Sequence, residues 1–233
     1  MKTGIIVAMQ SEFDLVAQNL TDKQEHTFKH ILFIEGQLNG QDVVLMKSGI
    51  GKTNATIATI EMINKFQPTR IINTGIAGGL DKSLSVMDVV IAQQTTYHDV
   101  WCGEGLYGQI QGLPARFMGN KTLLLASQNI KTELNIHFGL TVSGDKFITK
   151  LEELQNIKQQ FPEALAVDME SNSIAQTCYL YNVPFLSVRL ISDTPGVTNH
   201  AEQYKNFWSL APEKSFNIIE QLIQTPEDER LWD

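Results

Sequence analysis

Three acidic side chains stand where apolar runs give out. Glu12 follows Gly4-Ile5-Ile6-Val7-Ala8-Met9, Glu170 follows Ala164-Leu165-Ala166-Val167-Asp168-Met169, and Asp193 follows Phe185-Leu186-Ser187-Val188-Arg189-Leu190-Ile191-Ser192. A carboxyl group can protonate a leaving group or take a proton from water, depending on how its surroundings tune its proton affinity. In an open α/β sheet, parallel strands deliver their C-terminal ends to one rim, so acids far apart in sequence can meet on one ligand. Each acid also has a plainer reading. Glu12 and Glu170 suit the first turn of a helix, where an acid contributes roughly 0.3–1 kcal/mol. Arg189 and Asp193 suit a clamp between sheet and helix, since both are costly to bury unless paired. Their joint occurrence at strand ends is what points to an enzyme.

The elements needed to position them are legible. Thr3 to Met9 reads as a strand, followed by Phe13, Val16, Ala17 and Leu20 at helical spacing with Ser11 as N-cap. Ile31–Leu38 and Val43–Met46 flank Asn39-Gly40, a dipeptide that tolerates the positive φ of a type I′ turn, so they form a hairpin. A helix over Lys52 to Phe66 stops before Pro68, and a buried strand over Arg70 to Thr74 runs into Gly75-Ile76-Ala77-Gly78-Gly79. Further strands are expected over Asp88 to Thr96 and around Thr141-Val142, and a helix from Leu151 to Gln160. The strand Ala164 to Met169, a helix from Glu170 to about Tyr181 and the strand Phe185 to Ser192 read as a βαβ-like segment. An amphipathic helical stretch over Ala201 to Gln224 breaks or restarts at Pro212. The expected architecture is a three-layer α/β/α sandwich with a mixed central sheet. It forms one domain over 1–233, with 225–233 a loosely held tail.

Composition narrows the function classes. The 233 residues are 42% hydrophobic, enough for a single sizeable core. The 26 acidic against 18 basic residues give a net charge of −8 with no basic cluster, which argues against a nucleic-acid partner. The two cysteines, Cys102 and Cys178, have neither CxxC spacing nor an adjacent His, so no disulfide framework or zinc site is expected. No apolar run approaches the ~18 residues of a membrane span, and the N-terminal run is too short for a signal-peptide core. A cytoplasmic protein with no membrane association is the expectation.

Glycine clusters at Ser48-Gly49-Ile50-Gly51-Lys52 and Gly75-Ile76-Ala77-Gly78-Gly79-Leu80 follow apolar strands and allow close approach of backbone N–H groups to a ligand. Neither has P-loop spacing. Together with Gly4 to Glu12, Asn73-Thr74-Gly75, Ser143-Gly144-Asp145-Lys146-Phe147-Ile148, Ala166-Val167-Asp168-Met169-Glu170 and Arg189 to Asp193, they resemble the 5′-methylthioadenosine/S-adenosylhomocysteine nucleosidase family, in the family's order and from Met1 to about Trp208.

The resemblance implies a nucleoside phosphorylase-like fold, a homodimer, and hydrolysis of an adenine N-glycosidic bond without a cofactor or metal. Methylthioadenosine and S-adenosylhomocysteine are the implied substrates, in methionine salvage, with 5′-deoxyadenosine as a further one. It assigns Asp193 as general acid to adenine N7, oriented by Ser192, and Glu12 as general base for the attacking water. It places Glu170 on the ribose 2′ and 3′ hydroxyls, Met169 against the ribose, Arg189 beside the water, Phe147 against adenine and the backbone of Ile148 on adenine's polar edge. Ala8, Met9, Ile50, Ile76 and Gly78 complete the substrate-binding set. Asp193 is expected to have a raised pKa and Glu12 to stay ionised. Ile76 stands where the family commonly has Ser, and Asp168 where Glu is commoner. The segment from Val100 to Gln109 is short, and the resemblance makes Trp101, Leu106 and Tyr107 candidates for a lid over the partner's 5′ pocket. Dimer packing is the plainer reading of those three. The alternatives are an aminodeoxyfutalosine nucleosidase and a phosphate-dependent nucleoside phosphorylase. The latter would need cationic groups around phosphate, and the turns at Ala8–Glu12 and Gly75–Leu80 contain no Arg.

Overall fold

The chain alternates strands and helices from its first residues, as a computed structural model describes for residues 1–194, 207 and 212–226. Strand β1 (Lys2–Val7) gives way to helix α1 (Gln10–Gln18). The helix begins earlier than Ser11 suggests, with Met9 at the N-cap. Glu12, three residues on, supports that start: its Oε2 folds back to accept the N–H groups of Ala8 (3.0 Å) and of the N-cap Met9 (2.9 Å).

Strands β2 (Thr21–Phe28), β3 (Ile31–Leu38) and β4 (Gln41–Lys47) form an antiparallel meander. The β3–β4 turn has Asn39 at φ 50° and Gly40 at φ 76°, the left-handed pair the dipeptide promised. Helix α2 (Lys52–Phe66) ends on left-handed Gln67 just before Pro68. Strand β5 (Arg70–Gly79) then carries straight through the glycine run instead of stopping at Thr74. Next come β6 (Val89–Tyr97), β7 (Phe117–Met118), α3 (Lys121–Ser127) and β8 (Ile136–Ser143). The chain continues with α4 (Leu151–Gln160), β9 (Ala164–Asp168), α5 (Ser171–Leu180), β10 (Phe185–Asp193) and α6 (Pro212–Ile223). Of the helix expected over Ala201 to Gln224, the part from Pro212 is present. Apart from Phe207, positions 201–211 lie outside the described residues, as do 227–233 of the expected tail.

The strands form one mixed sheet in the order β10-β6-β8-β9-β5-β1-β4-β3-β2, with β7 on β6. Because the side chains of a strand alternate between faces, an apolar run feeds two cores at once. Ile5, Val7, Ile72 and Val188 pack with Phe13, Val16, Phe216, Ile219 and Leu222 of α1 and α6. Ile6, Ile71, Val44 and Met46 pack on the other face with Ala55, Ala58 and Met62 of α2 and Ile174 and Cys178 of α5. This is a nucleoside phosphorylase-like α/β fold with helices on both faces of a mixed sheet.

The sheet is not open at both ends. Strand β10 pairs with β5 as well as β6, so β5, β10, β6, β8 and β9 close into a ring. Strand β10 runs parallel to β5, whereas β9 is antiparallel to it through Gly78↔Val167 and Gly79↔Ala166. The segment from Ala164 to Ser192 is therefore not a βαβ unit, since its two strands run in opposite directions on either side of β5. Parallel strand ends bring Glu12 and Asp193 together. Glu170 arrives from the antiparallel β9, which ring closure folds over the last residues of β5.

Candidate active site

Glu12 is 8% exposed in the first turn of α1. Its Oε2 is held by Ala8 and Met9, and its Oε1 accepts the N–H of Ile76 at 3.2 Å. Burial pushes its pKa up, while the backbone N–H of Met9, the positive charge of Arg189 and the N–H groups of Ile76 and Ala8 pull the other way. The outcome is a carboxylate of fixed orientation with more proton affinity than an exposed one, the tuning a general base requires. Gly75 makes this possible. A Cβ there would lie 2.6 Å from Nη1 of Arg189 and 2.8 Å from Oε1 of Glu12. The bare backbone is the floor on which those two groups meet.

Arg189, on β10, is 1% exposed and held through Nε and Nη2. Its Nε lies 2.8 Å from Oδ2 of Asp168 and donates to Oγ of Ser171 at 3.0 Å, and its Nη2 donates to Oδ1 of Asn73 at 2.6 Å. Nη2 also faces Oε2 of Glu170 at 3.8 Å. Asp168 in turn accepts from Oγ of Ser143 (2.6 Å) and from the N–H groups of Glu170 and Ser171 (both 3.2 Å), and bonds Oγ of Ser171. Glu170 is 5% exposed and accepts the N–H of Gly51 at 2.9 Å, which ties the Gly49–Gly51 turn at the start of α2 to the site. Burial raises its pKa to about 7. Arg189 opposes the rise, and the charge of Asp168 reinforces it.

Asp193 ends β10 at 1% exposure, its Oδ1 bonded to Oγ of Ser192, which also approaches the carbonyl of Ala77 at 3.4 Å. Between Asp193 and Glu12 lies one cavity. Ala8, Met9, Glu12, Ile50, Ile76, Gly78, Phe147, Met169, Glu170, Arg189, Ser192 and Asp193, all singled out from sequence, line it. Ile148 does not. Its side chain is buried with Leu80, Val142 and Ile157. Trp101, Leu106 and Tyr107 also lie off the cavity of their own chain. They are exposed, with Trp101 stacked on Tyr107 at 6.0 Å and Tyr107 leaning on Phe161.

Ala77, Val167 and Asp168 line the cavity without having been assigned to it, and Asn73 and Ser171 support it from behind. Asn73 had a visible signal, an amide closing the apolar pair Ile71-Ile72, and the structure buries it fully. Asp168 stood out in sequence as a departure from the family's commoner Glu, with no role attached to it. Among the described residues, no group of His, Cys, Asp and Glu could hold a metal ion, and no helix is long and apolar enough to cross a membrane.

The arrangement is an apolar slot with a hydrogen-bonded carboxyl at one end and a backbone-held carboxylate at the other, a third carboxyl group lying beside them. It suits a polar bond cleaved with acid help on one side and base help on the other. Comparison with known proteins agrees. The family model described as "Phosphorylase superfamily" matches residues 2–224. A 5′-methylthioadenosine/S-adenosylhomocysteine nucleosidase of Staphylococcus haemolyticus is 43% identical over 95% of this chain and 98% of its own length. The crystal structure of such a nucleosidase from Neisseria meningitidis, in complex with methylthio-immucillin-A, superposes with a TM-score of 0.92 at 35% identity. It covers 97% of this chain and 99% of that one. A third, from Colwellia psychrerythraea in complex with adenine, gives 0.90 at 35% identity over 96% and 94% of the two chains.

Proposed function

The chain belongs to the 5′-methylthioadenosine/S-adenosylhomocysteine nucleosidase family of the phosphorylase superfamily, and from that premise we propose how its cavity divides the work. The enzyme hydrolyses the adenine N-glycosidic bond of methylthioadenosine and S-adenosylhomocysteine, releasing adenine and the thioribose product. Adenine is a poor leaving anion, so Asp193 delivers a proton to N7 while Ser192 keeps the carboxyl aimed. As the bond stretches, positive charge develops on the sugar. Glu170 accepts hydrogen bonds from the 2′ and 3′ hydroxyls, and those bonds strengthen with that charge. Glu12 takes a proton from the water that attacks the anomeric carbon. Met9, Ile50, Ile76 and Met169 form the apolar walls, the backbone at Ala8 and Gly78 completes the sugar side, and Phe147 covers the base. Ile148 contributes through its backbone alone.

The observation that carries this reading is the placement of Glu12 and Asp193 in one cavity, the first held by three backbone N–H groups and the second by a neighbouring hydroxyl. A phosphorolytic alternative finds less support. The only Arg lining the cavity, among the described residues, is Arg189, and its guanidinium is already committed to Asp168 and Asn73. The test is a panel of methylthioadenosine, S-adenosylhomocysteine, 5′-deoxyadenosine and aminodeoxyfutalosine, each with and without phosphate. The expected result is adenine release that ignores phosphate and is fastest with a 5′-thio substituent. A requirement for phosphate, or activity confined to aminodeoxyfutalosine, would replace the assignment.

A cytoplasmic homodimer serving methionine salvage completes the reading, with the whole chain acting as one nucleosidase domain. The dimer is supported by the apolar character of the cavity's surroundings. Ile50, Ile57, Phe147 and Leu151 are exposed on the elements at its mouth, and Trp101, Leu106 and Tyr107 are exposed on a loop that leaves its own cavity uncovered. In a dimer this loop closes the partner's 5′ pocket. Sedimentation at micromolar concentration is expected to give a dimer, and a monomer with full activity would contradict the shared lid.

A further inference from the structure

Asp168 has no part in the chemistry assigned above, yet its carboxylate bonds both Arg189 and the first turn of α5. Its Oδ1 accepts the N–H groups of Glu170 and Ser171 and the hydroxyl of Ser143, which fixes the entry into α5 and with it the backbone of Glu170. Its Oδ2 bonds Oγ of Ser171 and faces Nε of Arg189 at 2.8 Å. A planar guanidinium anchored at Nε by a carboxylate and at Nη2 by Asn73 has one edge left, and that edge faces Ile76, Gly75 and Glu12. Charge sharpens the point. Three carboxyl groups, Glu12, Asp168 and Glu170, surround one guanidinium, and all four groups are at most 8% exposed. Asp168 absorbs part of the positive charge that Glu12 and Glu170 would otherwise share.

We propose that Asp168 is a positioning residue for the reaction: one carboxylate holds both the Nε edge of Arg189 and the first turn of α5, and so fixes the geometry and charge balance of Glu12 and Glu170. The inference rests on the roles proposed for those two residues. The groups that face this cluster are Glu12 from α1, Arg189 and Asp193 from β10, Glu170 before α5, and His98 after β6, whose pKa also responds to Asp168. Removing the negative charge of Asp168 leaves Arg189 to act on Glu12 and Glu170 alone. Both then ionise at lower pH.

The test is Asp168→Asn, assayed for adenine release from methylthioadenosine across pH, with adenine itself as an inhibitor that probes the Asp193–Phe147 end. The expected result is a kcat at least 10-fold lower, the acid limb of kcat/KM moved down by about one pH unit, and adenine inhibition within threefold of wild type. Superimposable pH profiles would overturn the proposal. So would adenine inhibition weakened in step with kcat, because that marks a general loss of structure. If Asp168→Asn does not fold, Asp168→Ser decides: it removes the charge but leaves a hydroxyl that can accept from the N–H groups at the start of α5. An acid limb moved down with kcat lowered several-fold supports positioning, and kinetics identical to wild type overturn it. A wild-type enzyme inactive on the whole substrate panel would remove the reading beneath the proposal, whereas an active wild type with unaltered variants would remove the proposal alone.

Discussion

Gly75 is the position where one methyl group separates a working site from a disrupted one. In Gly75→Ala, the new Cβ would begin 2.6 Å from Nη1 of Arg189 and 2.8 Å from Oε1 of Glu12. Ordinary contact starts near 3.4 Å, so Arg189 must retreat by about 0.8 Å and Glu12 by about 0.6 Å. Neither is a loose chain end. Arg189 is tied to Asp168 and Asn73, and Glu12 to three backbone N–H groups. Overpacking of this kind typically costs about 1–3 kcal/mol of stability, or roughly 2–12 °C in melting temperature at ~2–4 °C per kcal/mol for a chain of this size. Activity should suffer more, because a displacement near 1 Å in a positioned catalytic group can cost about 100-fold. The assay is adenine release at 25 °C, well below the melting transition, with Gly40→Ala as control: Gly40 is also a glycine, at φ 76° in an open turn with nothing near its Cβ. The expected outcome is a kcat loss of about 10- to 100-fold in Gly75→Ala, and unchanged kcat with modest destabilisation in Gly40→Ala. Wild-type kcat in a folded Gly75→Ala enzyme would refute the claim that Glu12 and Arg189 must meet over bare backbone.

Two further perturbations reach other parts of the molecule. Burial holds the Glu170 pKa at about 7 in the folded chain, above the ordinary glutamate value near 4.5, so between those values the folded chain holds a proton that the unfolded chain has released. Stability should therefore fall as pH rises through about 4.5–7, by at most roughly 3 kcal/mol from this group. Glu170→Gln should flatten that slope in melting curves from pH 5 to 8, and a slope as steep as wild type would count against the assignment. Arg70, 4% exposed, donates to Thr3 Oγ1 and to the carbonyls of Ile223 and Thr225 at the end of α6. Arg70→Met should lower stability by about 2–4 kcal/mol, since it orphans buried carbonyls at a helix C-terminus, while kcat at 25 °C stays within twofold. An unaltered melting temperature would show that α6 docks without this tie.

What the sequence disclosed and what it withheld follow from the range of the interactions. The Asn39-Gly40 turn and the helices Lys52–Phe66 and Leu151–Gln160 are local, set by turn chemistry and apolar period, and their boundaries were readable. Strand β2 was not, because an exposed edge strand such as Thr21–Phe28 carries polar residues on both faces and shows no alternation. Strand β5 runs five residues past Thr74, since backbone pairing with β10 and β9 outweighs the turn preference of glycine. At the site, Glu12 and Asp193 were found because each is an acid at the end of an apolar run. The part played by Asp168 depends on ring closure, which sets β9 across β5 and β10 and brings Asp168 to Arg189. The contact between Glu170 and the N–H of Gly51 spans 119 residues, and no local pattern encodes it.

In the proposed mechanism, water activated by Glu12 attacks the anomeric carbon while adenine leaves with a proton from Asp193. Turnover of methylthioadenosine in ¹⁸O-labelled water, with excess phosphate present and mass analysis of the sugar product, tests it directly. The expected result is one ¹⁸O at the anomeric carbon, no sugar phosphate, and loss of turnover in Glu12→Gln and Asp193→Asn. A ribose 1-phosphate product, or undiminished turnover in either variant, would contradict it.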